Sequence, residues 1–243
     1  MRKKFFYLLL LVLFGLTSCV ANKSNDKSTA APSTPPAPKA SKTSSVQKVA
    51  VVSFAVNNYG TIFGQGSIDP SLIQKSMGDM LTGTEDILKR RWQVKPASSF
   101  VGNSSYFDLS TGKLKHGLSS PVIGGRSIPT FTLNRKELVK GTIDPKIAKQ
   151  LCNVLAVDAV VLYYSEWTLD SGKFVPTIKA LTKNCVSMYD SKGKKLFFQR
   201  KDVRGTKTIG SAYSGTHINA DTIDNWVEAS LTGIETIFSK AKI

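Results

Sequence analysis

The sequence predicts an α/β fold: a single layered domain with a mixed β-sheet flanked by helices, preceded by a signal peptide and a disordered tether. Three observations carry this. Residues 48–56 are a continuous apolar, β-branched run, the pattern of a strand covered on both faces. Asp69-Pro70 and Asp144-Pro145 each supply an N-cap and a first-turn proline ahead of apolar residues at helical spacing. Near the end, the turn Asp190-Ser191-Lys192-Gly193 precedes an amphipathic stretch in which Ile223, Trp226, Val227, Leu231, Ile234, Ile237 and Phe238 recur at three and four residues.

Taken in order, the strand over 48–56 is the first central one. After a Gly-rich connection, Leu72, Ile73, Met77, Met80, Leu81, Ile87 and Leu88 mark the buried side of a helix, in which Gly78 and Gly83 either weaken it or permit close packing. A second strand is expected over 92–97. Residues 98–133 lose periodicity and collect Gly, Ser, Asn and Pro, so they read as a long irregular region with a short strand over 105–109 and turns at Ser110-Thr111-Gly112 and Gly124-Gly125. Ile147, Ala148, Leu151, Cys152 and Leu155 form the stripe of the next helix. Strands follow over 158–168, over 174–189 with a bend near Pro176, and over 195–201 after the hairpin turn. Asp221 or Thr222 caps the last helix.

Ahead of this domain, Arg2, Lys3 and Lys4 make a positive n-region and residues 5–14 an apolar run. The run is the size of a signal-peptide core and too short to span a bilayer, which takes about 20 residues. Leu16-Thr17-Ser18-Cys19 closes the leader and resembles the lipobox of bacterial lipoproteins, which implies removal of 1–18 and acylation of Cys19. Several acyl chains, at ~0.8 kcal/mol per buried methylene, anchor stably without crossing the membrane. Val20 stands where an Asp would favour inner-membrane retention, so the resemblance places the protein on the outer membrane, facing the periplasm. Residues 20–47 contain no aromatic residue, Leu or Ile, and cannot offset their own ordering entropy. With Cys19 they form a tether over 19–47, reaching ~30 Å as a coil and ~87 Å as an extended Pro-rich chain, ahead of the domain over 48–243.

The net charge is +16. Residues 1–48 hold eight Lys or Arg against one Asp, which leaves 25 basic and 16 acidic side chains beyond them, or +9. Export argues against nucleic acid, so the anionic partners to expect are lipid head groups, cell-wall polymer or an acidic protein face. The densest cluster, Lys192, Lys194, Lys195, Arg200, Lys201, Arg204 and Lys207, is the candidate binding surface; its alternative is a solvated edge that discourages strand pairing. Tyr163, Tyr164 and Trp167 are candidate interface aromatics or core. Beyond Cys19, Cys152 and Cys185 either pair as a disulfide or stay as buried thiols.

No catalytic chemistry stands out, and no cofactor or metal is expected. His116 and His217 lie 101 residues apart with no paired ligand spacing. No serine sits in a Gly-x-Ser-x-Gly elbow, and Gly64-Gln-Gly66 lacks the rest of a phosphate loop.

Lys48-Val-Ala-Val-Val-Ser-Phe54, Asp144-Pro-Lys-Ile-Ala-Lys-Gln-Leu-Cys-Asn-Val-Leu-Ala-Val-Asp-Ala-Val-Val-Leu162 and Val186-Ser-Met-Tyr-Asp-Ser-Lys-Gly-Lys-Lys-Leu-Phe197 resemble the α/β fold shared by the curli-channel lipoprotein CsgG, the peptidoglycan-synthase activator LpoB and the N-terminal domain of TolB. The chain departs from that pattern at Leu155-Ala156-Val157-Asp158, in place of Leu-Gly-Ala-Asp, and at Tyr163-Tyr164-Ser165, where a glycine would stand. The layout of lipobox, Pro-rich tether and compact domain is similar to the LpoB type. That resemblance implies a non-catalytic periplasmic lipoprotein that binds and regulates or helps assemble an envelope complex, with a bifunctional penicillin-binding protein as partner; the missing membrane hairpins and the tether add the expectation of a monomer. The alternative, a CsgG-like outer-membrane secretion or assembly component, requires two membrane-crossing hairpins that the sequence does not offer.

Overall fold

The computed structural model describes residues 46–57, 70–111, 117–132, 134–172, 176–216 and 218–243. The leader, Cys19, most of the tether, Gly64-Gln-Gly66, Asp69, His116 and His217 lie outside the described residues. The apolar run becomes β1 (Lys48–Asn57), and α1 (Pro70–Lys89) follows. Next come β2 (Gln93–Val94), a 3-10 turn (Ala97–Ser99), α2 (Ser104–Phe107), β3 (Leu118–Ser119), β4 (Val122–Ile123) and β5 (Arg126–Ser127). The remainder is α3 (Arg135–Val139), α4 (Pro145–Leu155), β6 (Ala159–Ser171), β7 (Thr177–Asp190), β8 (Lys195–Ser211), β9 (Gly215–Thr216) and α5 (Ala220–Lys240).

The main sheet runs β2-β1-β6-β7-β8-β9, with β3 pairing the end of β1. β1 is parallel to β2 and β6 and antiparallel to β3, and β6 through β9 are antiparallel. The sheet is therefore mixed and helices lie on both faces, as the sequence predicts. Period-two alternation assigns the faces. Val161, Tyr163, Ser165 and Trp167 of β6 lie beside Met188, Val186, Asn184 and Thr182 of β7, under α5. Leu162, Tyr164 and Glu166 lie beside Ser187, Cys185 and Lys183 on the opposite face, under α3 and the entry to α4.

α5 packs tightly because its interior matches the sheet. Trp226 is fully buried, stacks on Trp167 at 6.2 Å and donates from Nε1 to the Thr168 carbonyl at 2.9 Å. Phe238 sits edge-on to both Trp92 and Phe197. At Gly233 the helix backbone meets the buried Asn184, whose Oδ1 accepts from Tyr163 OH (2.7 Å) and Ser165 Oγ (3.1 Å), and whose Nδ2 donates to Thr182 Oγ1 (2.9 Å) and the Lys201 carbonyl (3.1 Å). The amide is thereby saturated.

Four expectations need correction. Residues 105–109 are not a strand: Asn103 accepts from Ser105 N and starts α2, which drives Tyr106 into the core, where its hydroxyl donates to the Val52 carbonyl at 2.6 Å. The cap of α5 is Asn219, in a reciprocal box with Thr222, rather than Asp221 or Thr222. β8 continues to Ser211, well past residue 201, because β7 stays paired with it across bulges near Lys179. The strand expected over 92–97 shrinks to two residues. The hairpin turn behaves as expected: Gly193 has φ +81°, and a Cβ there would collide with the Pro145 carbonyl.

Two outcomes follow. A Cβ on Gly233 would clash with Asn184 Nδ2 and sit 2.9 Å from its Cγ, with no freedom for the amide to move. Gly233→Ala should cost about 1–3 kcal/mol in denaturant unfolding, and a neutral result would show that α5 does not press on this network. Glu85 accepts from Ala97 N at 2.8 Å inside the core, and burial raises its carboxyl above the ordinary value. The fold therefore prefers the protonated form, and its contribution is lost as pH rises through the raised value. Stability measured from pH 4 to 7 should fall on that account, and Glu85→Gln should remove that part of the slope.

Candidate functional site

The structure separates the seven predicted cations. Lys192 and Lys194 sit in the β7–β8 turn, where both of their backbone N–H groups donate to Asp190 Oδ1. Arg200 and Arg204 lie opposite Cys185 and Leu181 on the α3 side of the sheet, whereas Lys201 lies opposite Asn184 on the α5 side and Lys207 reaches Glu228 of α5 at 3.3 Å. Arg200 holds Asp202 (2.9 Å) and Arg204 holds Asp170 (2.5 Å). Lys195 is half-buried: Nζ donates to the Lys140 carbonyl at 3.2 Å and lies 5.3 and 5.6 Å from the ring centres of Tyr189 and Phe198.

On the α3 side the fold adds cations that the sequence reading passed over. Asn134 accepts from Lys136 N and starts α3, and Leu138 plugs the helix into a small cluster with Ala55, Tyr164 and Cys185. Arg135 then reaches Glu166 with Nη2 at 2.6 Å and Nε at 3.1 Å, a two-pronged contact that raises the guanidinium further and locks the helix over β6. Lys183 approaches the same carboxylate at 3.8 Å. Tyr164 donates weakly to it (3.4 Å) and accepts from Asn57 Nδ2 (3.1 Å), with its hydroxyl pushed up to about 12 by burial. Along α3 opens a groove of about 640 Å³ lined by Asn134, Arg135, Lys136, Val139 and Lys140.

The result is one face of the sheet and α3 carrying Arg135, Lys136, Lys140, Lys179, Lys183, Lys195, Arg200 and Arg204, with Glu137, Glu166, Asp170 and Asp202 as acids, among the described residues. Within it Phe198 keeps 38% of its surface in solvent. An exposed aromatic ringed by cations suits an anionic protein surface. Tyr163, Tyr164 and Trp167 are all buried and cannot serve as interface anchors. The overlooked helix had a sequence signal: Asn134 followed three residues later by Glu137 is the spacing of a capping box.

The two cysteines do not form a disulfide. Both are free and buried. Cys152 lies in the field of Asp190 and Asp158, whereas Cys185 stands five residues before Asp190, about 17 Å along the strand at ~3.4 Å each, near Arg200 and Glu166. Burial pushes Cys152 up to about 12 and Cys185 up to about 11, so neither is a thiolate at neutral pH. Among the described residues no group of three His, Cys, Asp or Glu side chains is placed to hold a metal, and no helix is long and apolar enough to cross a membrane.

A comparison with protein families and one with curated proteins each find no match. Among solved structures, the lipoprotein GNA1162 of Neisseria meningitidis is 13% identical, with 80% of this chain and 99% of that one covered at a TM-score of 0.36. The hypothetical protein CT253 of Chlamydia trachomatis is 14% identical, covering 80% and 95% at a TM-score of 0.38. Likenesses this loose transfer no property to this chain.

The thiols offer a direct check. An alkylating reagent at pH 8 should leave Cys152 and Cys185 unmodified in the native protein and label both after denaturation without reductant. Failure to label both in the denatured chain would mean they are oxidised.

Proposed function

We propose that this chain is a non-catalytic, monomeric lipoprotein, held on the outer membrane by an acylated Cys19 and facing the periplasm, that binds and regulates or helps assemble an envelope protein complex. In its most specific form the partner is a bifunctional penicillin-binding protein and the chain a peptidoglycan-synthase activator. The leader and lipobox support the anchoring, and the resemblance to the LpoB type supports the class of partner. The observation that carries the binding role is the cationic face of α3 and β8, with exposed Phe198 beside Lys195 on it.

Three measurements test this reading. Cys19→Ala should release the protein from salt-washed membranes; retention would show that lipid does not hold it. A photo-crosslinking side chain at Phe198, used in the intact envelope, should capture a defined envelope protein. With that protein purified, reversing exposed Lys136 and Lys140 of the face together with Lys194 of the adjoining β7–β8 turn to Glu should slow association at least tenfold at low ionic strength, while stability shifts by only about 0.5 kcal/mol per substitution. Unchanged association of the folded triple variant would overturn the cationic face as the binding surface.

A further inference from the structure

Beyond the face of β8 lies its edge. Among the described residues the outer side of this strand is paired only at Gly210 and Ser211, by the short β9. Among the described residues, 196–208 thus have no neighbouring strand on this side, more than twice the ~5–6 residues of an ordinary strand, and the Thr206 carbonyl among them accepts from Lys179 Nζ at 2.6 Å.

Charge decides what that edge accepts. Lys195, Arg200, Lys201, Arg204 and Lys207 stand along it; Asp202 is the strand's own acid, and Asp170 and Glu228 reach Arg204 and Lys207 from neighbouring elements, which leaves the edge net positive. A second copy would place cations opposite cations, which is destabilising across a strand pair. The 20–47 segment of this chain carries Lys23, Lys27, Lys39 and Lys42 against Asp26 and is repelled for the same reason. An extended acidic segment is complementary on both sides: side chains pointing one way meet Arg200 and Arg204, and those pointing the other way meet Lys201 and Lys207. The same cations that prevent edge-to-edge self-association therefore select for an acidic strand.

We propose that the outer edge of β8 receives an extended acidic segment of a partner protein as an added β-strand. This rests on the reading of the chain as a binding module and specifies how the partner is held. Backbone hydrogen bonds along residues 196–208 supply the attachment, and the alternating carboxylates set register and specificity.

The test uses full-length lipidated protein in mild detergent at pH 7 with the probe peptide acetyl-(Glu-Glu-Val-Val)3-amide, which as a strand sets carboxylates on both of its faces. Amides within 196–208 should exchange at least tenfold more slowly at alternating residues when the peptide is bound. A derivative N-methylated at two consecutive central residues, which blocks both of its edges, should bind at least tenfold more weakly. Lys201→Glu should weaken the parent peptide at least fivefold, and acetyl-(Lys-Lys-Val-Val)3-amide should not bind. Equal binding of the N-methylated peptide, or binding without alternating protection, would overturn strand addition while leaving the cationic face as an electrostatic surface. No binding of the acidic peptide would overturn the proposal too, whereas the binding-module reading stands or falls on the partner captured at Phe198.

Discussion

The contact on which the rest of the fold depends is the pressing of α5 onto β6, β7 and β8 at Gly233. Only a residue without Cβ lets the helix backbone approach the Asn184 amide, and that amide is the point where three strands share one hydrogen-bond network through Tyr163, Ser165, Thr182 and the Lys201 carbonyl. Leaving one such group unpaired in a buried setting costs about 1–3 kcal/mol, so the network penalises a register slip that would move Asn184 off this face. With the helix seated there, Trp226 stacks on Trp167 and Phe238 reaches both Trp92 and Phe197. One helix thus ties the β2 end of the sheet to β8.

The opposite face is covered piecemeal. Tyr106 of α2 seals β1, α4 packs over the ends of β6 and β7, and α3 lies over the middle of β6. On this side β8 meets the exit of α3, where Lys195 reaches the Lys140 carbonyl and Gly141 nears Phe198, while Phe198, Arg200 and Arg204 stay exposed. The Arg135–Glu166 pair is 62% and 15% exposed, and an exposed pair contributes roughly 0–1 kcal/mol. Burial of Leu138 against Ala55 and Tyr164 does more to hold α3, and the ion pair orients it. Gly141 closes the helix against the buried Ser187 and Phe198, which fixes the far wall of the cationic face.

What could be read from the sequence was whatever local chemistry decides. The β1 run, the Asp144-Pro145 helix start, the Gly193 turn and the α5 stripe each rest on a few adjacent residues, and each stands where expected. The second half of β8 was not readable, because Arg204-Gly205-Thr206-Lys207-Thr208 has no apolar alternation and is a strand only because β7 pairs with it. Helix α3 is too short for periodicity, and its cap was the sole clue. The cationic site was half legible: the charge density around the hairpin is a property of composition. The division of Arg200 from Lys201 onto opposite faces, and the arrival of Arg135, Lys136 and Lys140 beside them, require the topology.

Two groups stand out among the cations of this face and the adjoining β7–β8 turn. Arg135, Arg200 and Arg204 already hold carboxylates of their own chain, so much of their field is spent within the molecule and their guanidinium planes are fixed for short-range contact. Lys136, Lys140 and Lys194 are exposed and hold no ion pair among the described residues, and theirs is the potential that extends into solvent. At physiological salt that potential falls off over about 8 Å. On the proposed binding role, the lysines would govern how fast an acidic surface arrives, while Phe198 and the fixed arginines would act only once water has been squeezed out between the surfaces. In such an arrangement salt acts mainly on the rate of encounter, and loss of the Phe198 ring acts mainly on how long the complex lasts.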